Sequence, residues 1–213
     1  MLEFLKKKFR PYQYRIRKYR DKKKFESLLA QQKQRNLPLR IVIGSSGVYP
    51  ASWIPSEAHF LNLLVEETWR KYFNENEISN LLAEHVWEHL TPDEGKLAAK
   101  VCYKFLKKGG RLRVAVPDGF HKSQQYIDWV KPGGSGSGAD DHKVLYNYKT
   151  FSEIFKDAGF KVVLIEYFDE QNNFHATEWS KEEGFIHRSI KYDERNINGE
   201  PVYTSLFIDA IKL

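Results

Sequence analysis

Ile78-Ser79-Asn80-Leu81-Leu82-Ala83-Glu84-His85-Val86-Trp87-Glu88-His89-Leu90-Thr91-Pro92-Asp93-Glu94 passes from one kind of structure to another in a single short stretch. The run from Ile78 to Ala83 is apolar enough for a buried strand and stops at the polar pair Glu84-His85. Thr91-Pro92-Asp93-Glu94 is a capping box with proline at the first helical position, so the Thr91 hydroxyl and the Glu94 carboxylate can satisfy orphan backbone donors. The helix it starts carries Leu97, Ala98, Val101, Cys102 and Phe105 at helical spacing, and Lys107-Lys108-Gly109-Gly110 reads as its basic last turn and glycine stop. Arg111-Leu112-Arg113-Val114-Ala115-Val116 then reads as a second strand, halted by Pro117-Asp118-Gly119.

The same punctuation recurs on either side. Leu39-Arg40-Ile41-Val42-Ile43 predicts a buried strand running into the tight turn Gly44-Ser45-Ser46-Gly47. Thr150-Phe151-Ser152-Glu153 reads as a second capping box, with a helix to Gly159, a strand over Phe160–Ile165 and a final strand over Tyr203–Ile211. Strands alternating with helices predict an α/β doubly wound sheet. Three of the strands end in glycine or polar residues, and open parallel sheets hold their ligands at those ends.

Composition narrows the class. Hydrophobic residues make up 41% of the 213 and aromatics 15%, which is enough apolar surface to offset the entropy of ordering. Cys102 is the only cysteine, so no intrachain disulfide forms. With no apolar run of signal-peptide length at Met1–Lys6 and none of the ~20 residues a span needs, a cytoplasmic protein is expected. The net charge of +6 is unevenly placed: residues 1–40 hold 14 Lys/Arg against Glu3, Asp21 and Glu26, a surplus of +11, which leaves −5 for the rest. Residues 1–38 thus read as a basic helical arm and 39–213 as the Rossmann-like domain. The arm suits a solvated helix docked by its Phe and Tyr, or peripheral membrane contact in which Leu2, Phe4, Leu5 and Phe9 insert. Nucleic acid is not favoured, since no base-reading motif accompanies the charge.

Leu81 to Leu90, the helix ending in Lys107-Lys108-Gly109-Gly110, and Arg111 to Asp118 together resemble class I S-adenosylmethionine-dependent methyltransferases, in particular small ones associated with glycan biosynthesis. The resemblance covers about 39–159. It implies a Rossmann-like, mostly parallel sheet of about seven strands with an antiparallel C-terminal strand, in which the strand with Leu81 is the fourth, the one from Arg111 is the fifth, and the last two form an antiparallel hairpin. It also implies S-adenosylmethionine as cofactor, with Gly44, Ser45 and Ser46 as the turn approaching its methionine part and Glu57 on its ribose hydroxyls. Glu84 and His85 would line the cofactor. Ser46 stands where the pattern has a second glycine, and Glu57 follows the turn so closely that the intervening helix must be very short or absent.

The segment 117–148 is long for a connection and carries Gly133-Gly134-Ser135-Gly136-Ser137-Gly138, which reads as the hinge of a substrate lid. His142 or His121 is then the candidate general base, with Asp118 beside them as a further catalytic candidate. Asp118, Asp141 and His142 can alternatively hold a divalent metal. Asp141, Tyr146 and Arg188 are candidates for substrate binding, and the aromatic, Asn, Asp and Arg residues between Phe168 and Val202 suit a saccharide. Two other functions stay open. His85-Val86-Trp87-Glu88-His89 has the H-x-x-E-H spacing of a zinc hydrolase, provided a helix puts both histidines on one face. A degenerate module that binds without methylating is the other.

Overall fold

The computed structural model describes residues 2–213, with side chains from Gln13 onward. The chain opens with helix α1 (Leu2–Gln34), followed by strands β1 (Arg40–Val42) and β2 (Ile54–Pro55) and the short helix α2 (Glu66–Arg70). Strand β3 (Ile78–Glu84), helix α3 (Pro92–Phe105) and strand β4 (Leu106–Pro117) come next. The remainder is helix α4 (Gln124–Val130), helix α5 (Tyr148–Asp157), strands β5 (Lys161–Phe168) and β6 (Phe174–Ala176), and strand β7 (Ser205–Ile211). The strands form one sheet in the order β2-β1-β3-β4-β7-β5-β6.

The expectation of seven strands holds, but the balance of directions differs. The β1–β2, β1–β3 and β3–β4 pairings are parallel, whereas β4–β7, β5–β7 and β5–β6 are antiparallel. β7 inserts between β4 and β5, and β6 adds a second antiparallel strand at the edge. The strand holding Leu81 is the third in chain order, not the fourth, and the one holding Arg111 is the fourth. No helix separates β1 from β2, as the closeness of Glu57 to the glycine turn requires.

Helices α1, α3 and α5 bury residues against one face of the sheet, whereas the cluster on the other face is made of strand and loop residues. Alternate strand residues point to opposite faces. Ile41, Leu81, Ala83, Leu112, Val114, Ile208 and their neighbours form the main core with Ala98, Val101, Cys102 and Phe105 of α3 and Phe151 and Phe155 of α5. The other face carries Val42, Leu82, Ala115, Ile165 and Phe207 and is closed by Trp53, Ile186 and Trp179. Arg113 fastens that covering segment to the sheet. It is fully buried, pairs with Asp209 through Nε–Oδ1 at 2.7 Å and Nη2–Oδ2 at 2.8 Å, and donates from Nη1 to the carbonyls of Ser180 and Gly184.

Local signals decode with two corrections. The Thr91 box forms as expected and starts α3. α5 begins three residues before the expected cap: Asn147 is its N-cap, and Thr150 is the residue whose hydroxyl returns to the Asn147 amide. Lys107–Gly110 do not end α3 but bulge from the start of β4, since Ile78 pairs with Leu106 and Asn80 with Arg111.

The boundary at 38/39 does not separate two cores. Phe25 and Leu29 of α1 are buried in the main core, Phe25 packing on Phe60, Tyr72 and Phe73. Tyr14 and Tyr19, expected to dock, are 59% and 64% exposed. The side chains of Leu2, Phe4, Leu5 and Phe9, on which the membrane reading rests, lie outside the described residues. Among the described residues no helix is long and apolar enough to cross a membrane.

Candidate functional site

β1, β3 and β4 deliver Ile43, Glu84 and Pro117 to the wall of one cleft of about 460 Å³. The Gly44–Ser46 turn forms one side. Gly44 has φ +60°, and a Cβ there would sit 3.1 Å from Val86 Cγ2, so the position needs glycine on two counts. Ser46 also lies in the left-handed region at φ +48°. Ser45 is held by Ser56, whose carbonyl accepts its N–H at 3.0 Å, and by Glu57, whose Oε1 accepts its hydroxyl at 2.8 Å.

Glu57 is thereby tied behind the turn. It borders a smaller recess shared with Arg17, Asp21 and Lys24 of α1, not the main cleft. Glu84 does line the cleft, but its carboxylate accepts the amides of His187 at 3.1 Å and Arg188 at 2.8 Å, so it anchors the opposite wall.

His85 occupies the floor at φ +56°, with both ring nitrogens in use: Nδ1 lies 2.8 Å from Glu88 Oε1 and Nε2 lies 2.9 Å from Ser205 Oγ. Trp87–His89 form a 3₁₀ turn instead of an α-helix, so the H-x-x-E-H pair does not converge on one face and the expected zinc pair of His85 with His89 is not formed. Glu88 is fully buried. Burial by itself would push its carboxyl up, but the His85 ring more than offsets this and holds it below the ordinary range. Its Oε2 has no hydrogen-bond partner.

The structure redistributes the other predicted residues. His142 lines the cleft, and so does Arg188. Asp141 is exposed at the rim, with Oδ2 3.3 Å from His89 Nδ1. Asp118 does not line the cleft. It is buried under the sheet edge, where its carboxylate accepts the Phe120 and Phe168 amides, and burial pushes it up to about 6. Neither Asp118 nor His121 joins His142. His121 is buried, stacked on Tyr126 at 3.9 Å, and burial lowers it to about 4. Tyr146 is buried in the main core against Phe151, not in the cleft.

The glycine stretch is a wall, not a free hinge. Gly134 and Gly136 lie so close to the Trp129 carbonyl that a Cβ would come within 2.5 and 2.7 Å of it. Their amides bond to Lys131 and Trp129 carbonyls. This fold-back brings Trp129, Val130, Gly136 and Ser137 to the cleft. Phe185 and His187 of the expected saccharide segment also line it, as do Trp129, Tyr49 and Tyr203, which were missed from sequence because wall positions depend on how separate loops fold back. Of the expected saccharide segment, Trp179 faces inward onto Phe207 and Arg113, and Asp169 binds its own hairpin.

No protein-family profile matches the chain, and no curated protein matches its sequence. Solved structures do. A SAM-dependent methyltransferase of Thermotoga maritima, described as a possible histamine N-methyltransferase, aligns over 96% of this chain and 100% of its own at 18% identity and TM-score 0.50. A SAM-dependent methyltransferase of Archaeoglobus fulgidus aligns over 93% and 99% at 14% identity and TM-score 0.46. Phosphoethanolamine N-methyltransferase 2 of Haemonchus contortus, solved with S-adenosyl-L-methionine, matches 82% of this chain and 49% of its own at 14% identity and TM-score 0.42. The likeness is one of fold: the chain has the Rossmann-like fold of SAM-dependent methyltransferases.

Proposed function

We propose that the chain is an S-adenosylmethionine-dependent methyltransferase acting in the cytoplasm on an oxygen of a saccharide or glycan precursor. The observation that carries this is the common cleft: the ends of β1, β3 and β4, the glycine turn and the imidazoles of His85, His89, His142 and His187 all line it. Its volume of about 460 Å³ falls within the range of small-molecule sites. Gly44 lines this cleft with a left-handed backbone at φ +60°, a conformation that favours glycine. Gly44, Ser45 and Ser46 would hold the cofactor, with His85 and Glu84 below it.

When bound, S-adenosylmethionine supplies an electrophilic methyl group. The chain's part is positioning. Trp129, exposed by 41%, Tyr49 and Phe185 offer ring faces to an apolar sugar surface, and Arg188 offers hydrogen bonds to its hydroxyls. The proton of the accepting hydroxyl goes to an imidazole of the wall, His142 or His187. Exposed Tyr14, Ile16 and Tyr19 among Arg15, Arg17, Lys18 and Arg20 support the arm as a contact for anionic membrane.

Calorimetric titration of the full chain with S-adenosylmethionine tests the reading. One site per chain is expected, with affinity reduced at least tenfold in Gly44→Ala. A silent titration with folded protein overturns it and leaves a module that binds something else.

A further inference from the structure

The lining of the cleft contains a second constellation besides the glycine turn. A carboxylate oxygen of Glu88 and one ring nitrogen each of His89 and His142 lie within 4.8 Å of one another. All three residues line the cleft. Two are adjacent in the 3₁₀ turn after β3, and the third ends the fold-back after the glycine stretch, so the juxtaposition is made by tertiary structure alone.

Several features show groups waiting for a ligand. Glu88 is fully buried and its Oε2 is unpartnered, a costly arrangement for a carboxylate oxygen in a native fold. His89 Nδ1 is also buried without a hydrogen bond; the Asp141 carboxylate lies 3.3 Å away. His142 Nδ1 lies 2.7 Å from the Val130 carbonyl, which requires the proton on Nδ1 and leaves the Nε2 lone pair available. The His89 and His142 rings meet edge to face at 4.8 Å.

We propose that Glu88, His89 and His142 bind a divalent transition metal of the Zn²⁺ type, with an open coordination position facing the cleft. Two imidazoles and one carboxylate form a donor set that suits Zn²⁺ better than Mg²⁺ or Ca²⁺, which take oxygen ligands. Around Zn²⁺, with bonds of about 2.1 Å, ligand atoms stand roughly 3.4 Å apart, so closure needs side-chain shifts of about an ångström. The outer contacts are those expected of metal ligands. A backbone carbonyl orients His142, and the chain Ser205–His85 orients Glu88 through its other oxygen. Asp141 stands at the rim as a further oxygen donor.

The role of the metal rests on the methyltransferase reading. In the open position it would bind the acceptor hydroxyl and lower its pKa, so that less is asked of a base. His142, with Nε2 on the metal, is then no proton acceptor, and His187 takes that part.

The test is zinc titration of chelator-treated full-length protein, with Co²⁺ absorption reporting the geometry. Wild type is expected to bind one equivalent. His89→Ala and His142→Ala, whose residues are half-buried, are expected to retain far-UV dichroism while losing at least tenfold in affinity and the tetrahedral Co²⁺ bands. Absence of stoichiometric binding in wild type, or undiminished binding in both variants, overturns the site. A parallel S-adenosylmethionine titration separates the claims: stoichiometric zinc with no cofactor binding keeps the metal site and removes its proposed role, and cofactor binding without zinc removes the metal site and keeps the methyltransferase reading.

Discussion

Glu166 shows what burial does to one carboxyl in this sheet. It lies in β5, almost fully buried, and its oxygens accept the Ile190 amide at 2.8 Å and Trp179 Nε1–H at 3.3 Å. Burial pushes it up to about 7, and these two hydrogen bonds only partly oppose the shift. The folded chain therefore keeps a proton that the unfolded chain releases above its ordinary carboxyl range. Stability from this group is complete below about pH 4.5 and is lost as pH rises through 7, up to about 3 kcal/mol. Asp118 acts in the same direction, whereas His121, lowered to about 4, gains stability as pH rises and masks part of the trend. A difference between variants isolates Glu166. Glu166→Gln is expected to match wild type in urea midpoint near pH 5 and exceed it near pH 8; an equal offset at both pH values would show that the carboxyl is ionised throughout.

At the scale of elements, what sequence could disclose was set by the range of the interaction. The Thr91 box was legible because its partner is three residues away, and five of the seven strands were legible from their apolar runs, whereas β2 and β6, of two and three residues, were too short to show one. At α5 two local signals competed. Asn147 took the cap because its backbone is extended, at φ −114° and ψ 170°, which places Thr150 inside the helix. The glycine turn and the ends of three strands were also visible in advance. The partners of Arg113, which reach from Ser180 to Asp209, had no local signal, nor did the meeting of Glu88 and His89 with His142. Sequence reading assigned the 168–202 segment to a saccharide, whereas in the fold its Trp179 and Ile186 cover the second face of the sheet and the buried Arg113 guanidinium ties Ser180 and Gly184 to it. Arg113→Ala leaves the Asp209 carboxylate with Arg111 as its remaining cationic partner, 2.6 Å away, and takes the side-chain bonds from the Ser180 and Gly184 carbonyls, and should cost about 3 kcal/mol by denaturant unfolding. Pairing Arg113→Met with Asp209→Leu should recover much of that loss, since it removes both buried charges. A single-variant loss below about 1 kcal/mol would mean that Trp179 and Ile186 hold the segment without the ion pair.

For the whole molecule the question is where the body begins. By charge the first 40 residues stand apart, carrying +11 against −5 for the rest, yet packing draws the line elsewhere, inside α1. Phe25 is fully buried among Phe60, Tyr72 and Phe73, and Lys33 is bonded to Glu77 at 2.8 Å, so the second half of the helix closes the edge of the sheet beside the short β2. The first described side chains face solvent. α1 also borders the recess behind Glu57, so loosening it would disturb the support of the glycine turn through Ser45. Phe25→Ala should thus cost about 3–5 kcal/mol and also weaken S-adenosylmethionine binding, whereas Tyr19→Ala should change stability by less than about 0.5 kcal/mol. Thermal unfolding with and without cofactor measures both effects. If Phe25→Ala unfolded as wild type does, α1 would be an appendage, and the division suggested by charge would be the physical one.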